Sequence, residues 1–323
     1  MSVPKRVLVT GGAGFIGANL CRRLLDSPQI GDVRVIDDLS SGDRNNLSGM
    51  DVTFFEGSIL DAEVLQAAVE TCDSIVHLAA VPSVPRSIKD PVRSHEANAT
   101  GTLRVLEAAR SNGGAHVILA SSSSVYGANP TLPKSEDLMC QPMSPYAVSK
   151  LAAEQYAMAY AQCYDLPVLP FRFFNVYGPL QAAGHAYAAV IPAFIDAALA
   201  GRPIPVHGDG SQTRDFTFVD TVTEALHDAL VGQVTSGPVN LAFETRTSLI
   251  QVISLLEQVL GEKLVVEHGP GRLGDVPHSQ AAVHRFAQLF PTVRPVPLAY
   301  GVEKTVDWFR QQAIEATARP VHA

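Results

Sequence analysis

Residues 10–17 read Thr10-Gly11-Gly12-Ala13-Gly14-Phe15-Ile16-Gly17. A short apolar run at 6–9 precedes them, and residues 15–25 follow with apolar side chains at helical spacing. Strand, glycine turn and helix together make a cradle for a dinucleotide. Gly11 permits the tight turn, Gly14 lets backbone approach a pyrophosphate, and Gly17 lets helix pack on strand. Phe15 and Ile16 lie in the first helical turn, where free N–H groups and a partial positive charge favour phosphate. The next strand-like run, 33–36, ends at Asp37. A carboxylate there can accept both adenosine ribose hydroxyls and would repel a 2′-phosphate, so NAD is favoured over NADP.

Apolar runs at 6–9, 33–36, 52–55, 75–78, 116–120 and 168–173 alternate with helical patterns at 15–25, 62–69, 91–109 and 145–163. Parallel strands need crossovers, so this alternation predicts an α/β fold, a Rossmann doubly wound parallel sheet with helices on both faces. The second half is less regular. Proline and glycine cluster between 178 and 210, with helical patterns at 191–200, 221–230, 248–260 and 298–310. Residues 1–175 are expected to form an NAD-binding domain, with return segments from about 215–245. Residues 176–323 should form mainly a smaller C-terminal α/β substrate lobe over the sheet's carboxyl edge, with a frayed tail after Gln311.

The 323 residues are 46% hydrophobic and 17% charged, which is ordinary for a globular chain. A net charge of −8 leaves no footprint for nucleic acid. Cys21, Cys72, Cys140 and Cys163 are scattered without a CxxC pair, so neither a metal site nor a disulfide framework is signalled. Residues 1–6 carry no signal-peptide pattern. The longest apolar stretch, 186–200, is broken by Pro192 and Asp196 and is too short to span a bilayer. A cytoplasmic protein with no membrane partner is expected.

Tyr146 and Lys150 stand four residues apart in Ser144-Pro145-Tyr146-Ala147-Val148-Ser149-Lys150, and so share one helix face. A lysine beside a phenol favours the phenolate, which predicts Tyr146 as a general base. Lys150 can also hold the nicotinamide ribose. His77 lies inside an apolar strand and reads as a core residue rather than a base.

The G-x-x-G-x-x-G spacing together with Y-x-x-x-K resembles the extended branch of the short-chain dehydrogenase/reductase superfamily, within its NAD-dependent epimerase/dehydratase family. The resemblance extends to about residue 310. It implies cofactor contacts from Ser58 and Ile59 at the adenine, and from Ala79 and Ala80 beneath the cofactor. Ser58 stands where the family usually has Asp. Asn98 is implied as a brace beside the cofactor. Val125-Tyr126-Gly127 places the catalytic hydroxyl at Ser122, completing a set with Tyr146 and Lys150.

Further stretches resemble nucleotide-sugar epimerases and dehydratases. They imply substrate contacts from Ser83, Ser122, Ser124, Tyr146, Asn175, Val190, Arg214, Arg272, Asp275 and Ser279, with both arginines on the diphosphate. A dehydratase of this family carries Asp-Glu where this chain has Ser123 and Ser124. Serines cannot do that proton work, which leaves epimerisation at C4 through a 4-keto sugar. The position of Ser279 gates the sugar pocket in the family, and a small residue there implies room for an N-acetyl group. The expectation is therefore a UDP-sugar 4-epimerase for UDP-glucose/UDP-galactose and UDP-GlcNAc/UDP-GalNAc. Alternatives are a UDP-glucuronate 4-epimerase, a nucleotide-sugar dehydratase, or a cofactor-bound scaffold without turnover. A homodimer through the helices at 91–109 and 145–163 is expected from the same resemblance.

Overall fold

The computed structural model describes residues 4–183, 188–270 and 278–318. Its strands are β1 Lys5–Thr10, β2 Ile30–Asp37, β3 Thr53–Glu56, β4 Ser74–His77, β5 His116–Ser122, β6 Val168–Phe173, β7 Asn175–Tyr177, β8 Ile204–His207, β9 Thr213–Arg214, β10 Phe216–Phe218, β11 Val239–Leu241, β12 Thr247–Ser248 and β13 Val266–Gly269. Its helices are α1 Phe15–Leu25, α2 Ala62–Val69, α3 Val84–Lys89, α4 Pro91–His95, α5 Gly101–Ser111, α6 Pro145–Tyr164, α7 Val190–Leu199, α8 Val219–Gly232, α9 Leu249–Leu260, α10 His284–Leu289 and α11 Leu298–Ala318.

Seven strands form one parallel sheet in the order β3-β2-β1-β4-β5-β6-β11. Alternate residues of each strand leave the sheet on opposite faces. Val7 and Val9 join Ile118, Leu169 and Phe171 in a core capped by Leu20, Leu24, Leu226 and Leu230 of α1 and α8. Leu8 joins Ile75, Val117, Leu119 and Val168 in a second core under α2, α5 and α6. Both faces are covered, so the strands read as continuous apolar runs. This is the predicted Rossmann architecture.

Two features depart from the expectations. The helix over 91–109 is interrupted, because α4 and α5 are joined by a π turn at Glu96–Thr100. A π turn holds an extra residue, and Gly101 follows it where a Cβ would meet Ile59 Cδ1 at 2.5 Å. Second, α11 continues to Ala318, past the Gln311 at which fraying was expected. Within the expected return segments at 215–245, β11 arrives from residue 239 to form the sheet edge, paired with β6. The smaller lobe is built from the short pairs β7–β10, β8–β13 and β9–β12. Helices α7, α9 and α11 pack over a cluster that includes Phe194, Phe218, Leu256 and Val302.

Candidate active site

The strand order reverses between β1 and β4, and open α/β sheets bind ligands outside the carboxyl ends at such a point. Thr10 closes β1 and its hydroxyl accepts a hydrogen bond from Ala79 N at 3.1 Å. Gly11 adopts φ 69°, and a Cβ on it would stand 2.7 Å from Ala79 N. Ala79 and Ala80 thus flank the glycine turn. A Cβ on Gly17 would stand 2.3 Å from the Gly11 carbonyl oxygen, so only glycine lets α1 start this close to the turn. Gly14 is the N-cap of α1 and makes no side-chain cap, and no acidic residue occupies the first turn. Among the described residues, no side chain therefore takes up the N–H groups of Phe15, Ile16 and Gly17, as an anion cradle requires.

Asp37, 8% exposed, accepts from Ala13 N at 3.0 Å and from Leu39 N at 2.9 Å. Burial pushes its carboxyl pKa up, and those N–H bonds pull it back down. Each oxygen keeps a lone pair for a ribose hydroxyl. Ser58 follows β3 and accepts from Leu60 N at 3.2 Å, while Ile59 is buried beside α5. Asn98 lies in the π turn. Its carbonyl accepts from Val81 N at 2.8 Å, and its amide donates to Val81 O at 3.2 Å and Ser149 Oγ at 3.0 Å. Both amide hydrogens stay within the protein, so Asn98 ties the loop after β4 to α6 rather than reaching out to a ligand. His77 spends both ring nitrogens on hydroxyls, with Thr10 at 2.7 Å and Thr102 at 2.9 Å. Burial, then the Lys150 charge, pushes its pKa down to about 3, as a neutral core residue requires.

The structure brings Ser122, Tyr146 and Lys150 together. Ser144 caps α6 through Ala147 N at 3.2 Å, and Pro145 occupies the first helical position. The Ser122 hydroxyl stands beside the Tyr146 phenol and acts to lower its pKa. Ser124 donates its hydroxyl to Ser122 Oγ at 2.9 Å, with Ser124 N at 3.2 Å from the same oxygen. Burial pushes Tyr146 up, and the Ser122 bond is what pulls it down. Lys150, 6% exposed, donates to Ala120 O at 2.9 Å, and burial lowers its pKa to about 8.

Across the crevice, Asn175 opens β7 and donates to Asp215 O at 3.3 Å. Arg214 in β9 donates to Thr213 O at 2.9 Å. Ser279 N donates to Thr213 O at 3.0 Å, and His278 Nδ1 faces Thr213 Oγ1 at 3.0 Å. Arg214 and Ser279 are thus brought to one edge of the lobe. An apolar cluster unites the two halves of the site: Val125 and Tyr126 after Ser124, Leu151 after Lys150, Phe174 before Asn175, and Ala281 after Ser279. Val190 begins α7. Ser83 caps α3 at φ 103°, a strained conformation of the kind found at ligand sites. Arg272 and Asp275 lie outside the described residues.

Two groups escaped the sequence reading. A Cβ on Gly12 would meet Val35 Cγ1 at 2.6 Å, so the second glycine is required by packing on β2. Glu154, four residues beyond Lys150, is wholly buried in an ion pair with Arg172. A charged residue inside the apolar run of β6 was the available signal.

A turn that cradles a dinucleotide and a serine–tyrosine–lysine set at the same sheet edge define an NAD-dependent enzyme of the short-chain dehydrogenase/reductase type. The NAD dependent epimerase/dehydratase family matches residues 7–242, and the chain belongs to that family. It is 39% identical over 320 residues to a UDP-glucose 4-epimerase of Mycolicibacterium smegmatis, spanning 95% of this chain and 99% of that one. It is similar in structure to a UDP-N-acetylglucosamine 4-epimerase from Methanobrevibacter ruminantium, solved with UDP-N-acetylmuramic acid. That match has TM-score 0.91 and 34% identity, covering 96% of this chain and 100% of that one. A UDP-glucuronic acid 4-epimerase from Bacillus cereus, solved with UDP-glucuronic acid and NAD, matches with TM-score 0.85 and 29% identity, covering 95% and 99%. No helix among the described residues is long and apolar enough to cross a membrane.

Proposed function

We propose that the chain is an NAD-dependent UDP-sugar 4-epimerase acting on UDP-glucose/UDP-galactose and on UDP-GlcNAc/UDP-GalNAc. The observation that carries this is the hydroxyl relay Ser124–Ser122–Tyr146 beside Lys150. Ser124 occupies a position where a dehydratase needs an acid, and its proton is committed to Ser122.

The residues present fit NAD: uncapped N–H groups at α1 for the pyrophosphate, Asp37 for the adenosine ribose, and Lys150 at the nicotinamide end. Bound NAD supplies the hydride acceptor and donor at sugar C4. Tyr146 takes the proton from the C4 hydroxyl. Ser122 donates to the phenolate before it takes that proton, and Ser124 donates to Ser122, so each hydrogen bond polarises the next. The planar 4-keto sugar then presents its other face, and Tyr146 returns the proton. Arg214 and Asn175 would anchor the diphosphate while the sugar turns, with Arg272 and Asp275 assigned to the same pocket. Ser279 offers little bulk against an N-acetyl group.

Incubation without added NAD is expected to convert both UDP-galactose and UDP-GalNAc into isobaric epimers. Conversion of UDP-glucuronate alone moves the assignment to the acidic sugar. A product of changed mass, or no turnover even with NAD supplied, overturns it.

The same reading makes the protein a cytoplasmic homodimer joined through α4, α5 and α6. Val92, Val148, Tyr156 and Tyr164 on α4 and α6 are 65%, 51%, 42% and 54% exposed, leaving apolar side chains available to a second copy. Sedimentation is expected to give twice 34.4 kDa, and a mass of 34.4 kDa at micromolar concentration overturns the dimer.

A further inference from the structure

The buried pair formed by Glu154 and Arg172 is unusual in its completeness. Glu154 has no exposed surface and Arg172 is 3% exposed. The guanidinium grips the carboxylate with Nε to Oε2 at 2.9 Å and Nη2 to Oε1 at 2.6 Å. Ser121 Oγ donates a third bond to Oε2 at 2.7 Å. The remaining arginine donors reach Tyr126 OH at 2.9 Å, Glu136 O at 3.2 Å and Cys140 Sγ at 3.5 Å. Apolar side chains of similar volume often hold a core as well as a buried ion pair does, because desolvation offsets the attraction. Stability alone does not account for placing two charges here.

Their location does. Tyr146, Lys150 and Glu154 are spaced four apart on α6, and each is tied to a successive residue of β5. Lys150 donates to Ala120 O, Glu154 accepts from Ser121 Oγ, and Tyr146 stands beside Ser122. Arg172 is the register partner of Ser121 across β5 and β6, and Phe173 is that of Ser122. An apolar contact tolerates a slide of the helix along the sheet. A bidentate fork has one geometry.

Resting on the catalytic reading above, we propose that the Glu154–Arg172 pair is a positioning device that fixes α6 in the register where Tyr146 meets Ser122. Neither residue touches the substrate. They act by holding the base to the hydroxyl that stabilises its phenolate.

The test is Glu154→Gln, in the NAD-loaded protein. Expected are a kcat lower by about tenfold to a hundredfold, as for a displacement near 1 Å, and a KM within about twofold of wild type. The acidic limb of the kcat–pH profile should move to higher pH, since a loosened Ser122 bond lowers the phenol pKa less. A second variant separates geometry from folding. Glu154→Met with Arg172→Leu should recover the melting midpoint while kcat stays low. Unchanged kcat in Glu154→Gln, or native kcat together with native melting in the double variant, overturns the proposal. If wild type turns over no UDP-sugar, the functional reading has failed instead. The pair is then judged by ultraviolet titration of Tyr146, referenced to Tyr146→Phe. An upward shift in Glu154→Gln supports positioning, and no shift refutes it.

Discussion

Tyr146→Phe is expected to lower kcat by about 10²–10⁴-fold, the usual contribution of one general acid–base group, while the protein stays folded and keeps its NAD. The substitution removes one oxygen from a ring at the start of α6 and leaves the helix cap at Ser144 intact. What disappears is the proton acceptor and the end of the Ser124–Ser122 relay. The wild-type profile should rise with pH through the Tyr146 titration, because the phenolate is the active form. Burial sets that limb high and the Ser122 bond draws it lower, so Ser122→Ala should move it upward. The Tyr146→Phe residual should be flat over the same range. Product formation measured against bound NAD decides it, and full activity in the variant excludes Tyr146 as the base.

The second large effect is on the glycine turn. Gly17→Ala would place a methyl group 2.3 Å from the Gly11 carbonyl oxygen and 2.6 Å from Gly12 Cα. Both neighbours are backbone, so relief means moving α1 off β1. Overpacking of this kind costs roughly 1–3 kcal/mol or more, and it splays the N–H groups meant for the pyrophosphate. The variant is expected to purify without NAD and to melt well below wild type. Gly14→Ala, whose methyl meets only the Gly11 oxygen at 3.2 Å, should stay folded but lose NAD affinity. Gly237→Ala, with nothing within 4 Å, should change neither. Calorimetry and the absorbance of bound cofactor separate the three, and a Gly17→Ala protein with native melting and full NAD contradicts this account of the turn.

The legible parts of this molecule are those whose chemistry is local in sequence. Gly11, Gly14 and Gly17 sit within one turn, Asp37 ends the next strand, and Tyr146 and Lys150 are one helical turn apart. The family resemblance then supplied Ser122, which lies where the structure bonds Tyr146. Less legible were features set by distant packing. The π turn at Glu96–Thr100 leaves no mark in the apolar spacing of 91–109, because it arises where Asn98 must reach Val81 and Ser149 at once. Strand β11 is three residues long, too short for a period to show. The bond from Lys150 to the Ala120 carbonyl also joins residues 30 apart in sequence, which helical spacing does not reveal.

Strand β11 also bears on how the chain is made. It and α8, which packs on α1, are encoded after the first stretch of the smaller lobe. During synthesis β6 emerges first, and its edge waits for residues 239–241. At roughly 5–20 residues per second that interval lasts several seconds. Throughout it, the face of α1 bearing Leu20 and Leu24 lacks its α8 partners Leu226 and Leu230, and β6 presents an open edge. The nascent chain is thus most vulnerable to sticking midway through translation, and the segments that relieve it are among those that complete the cofactor half.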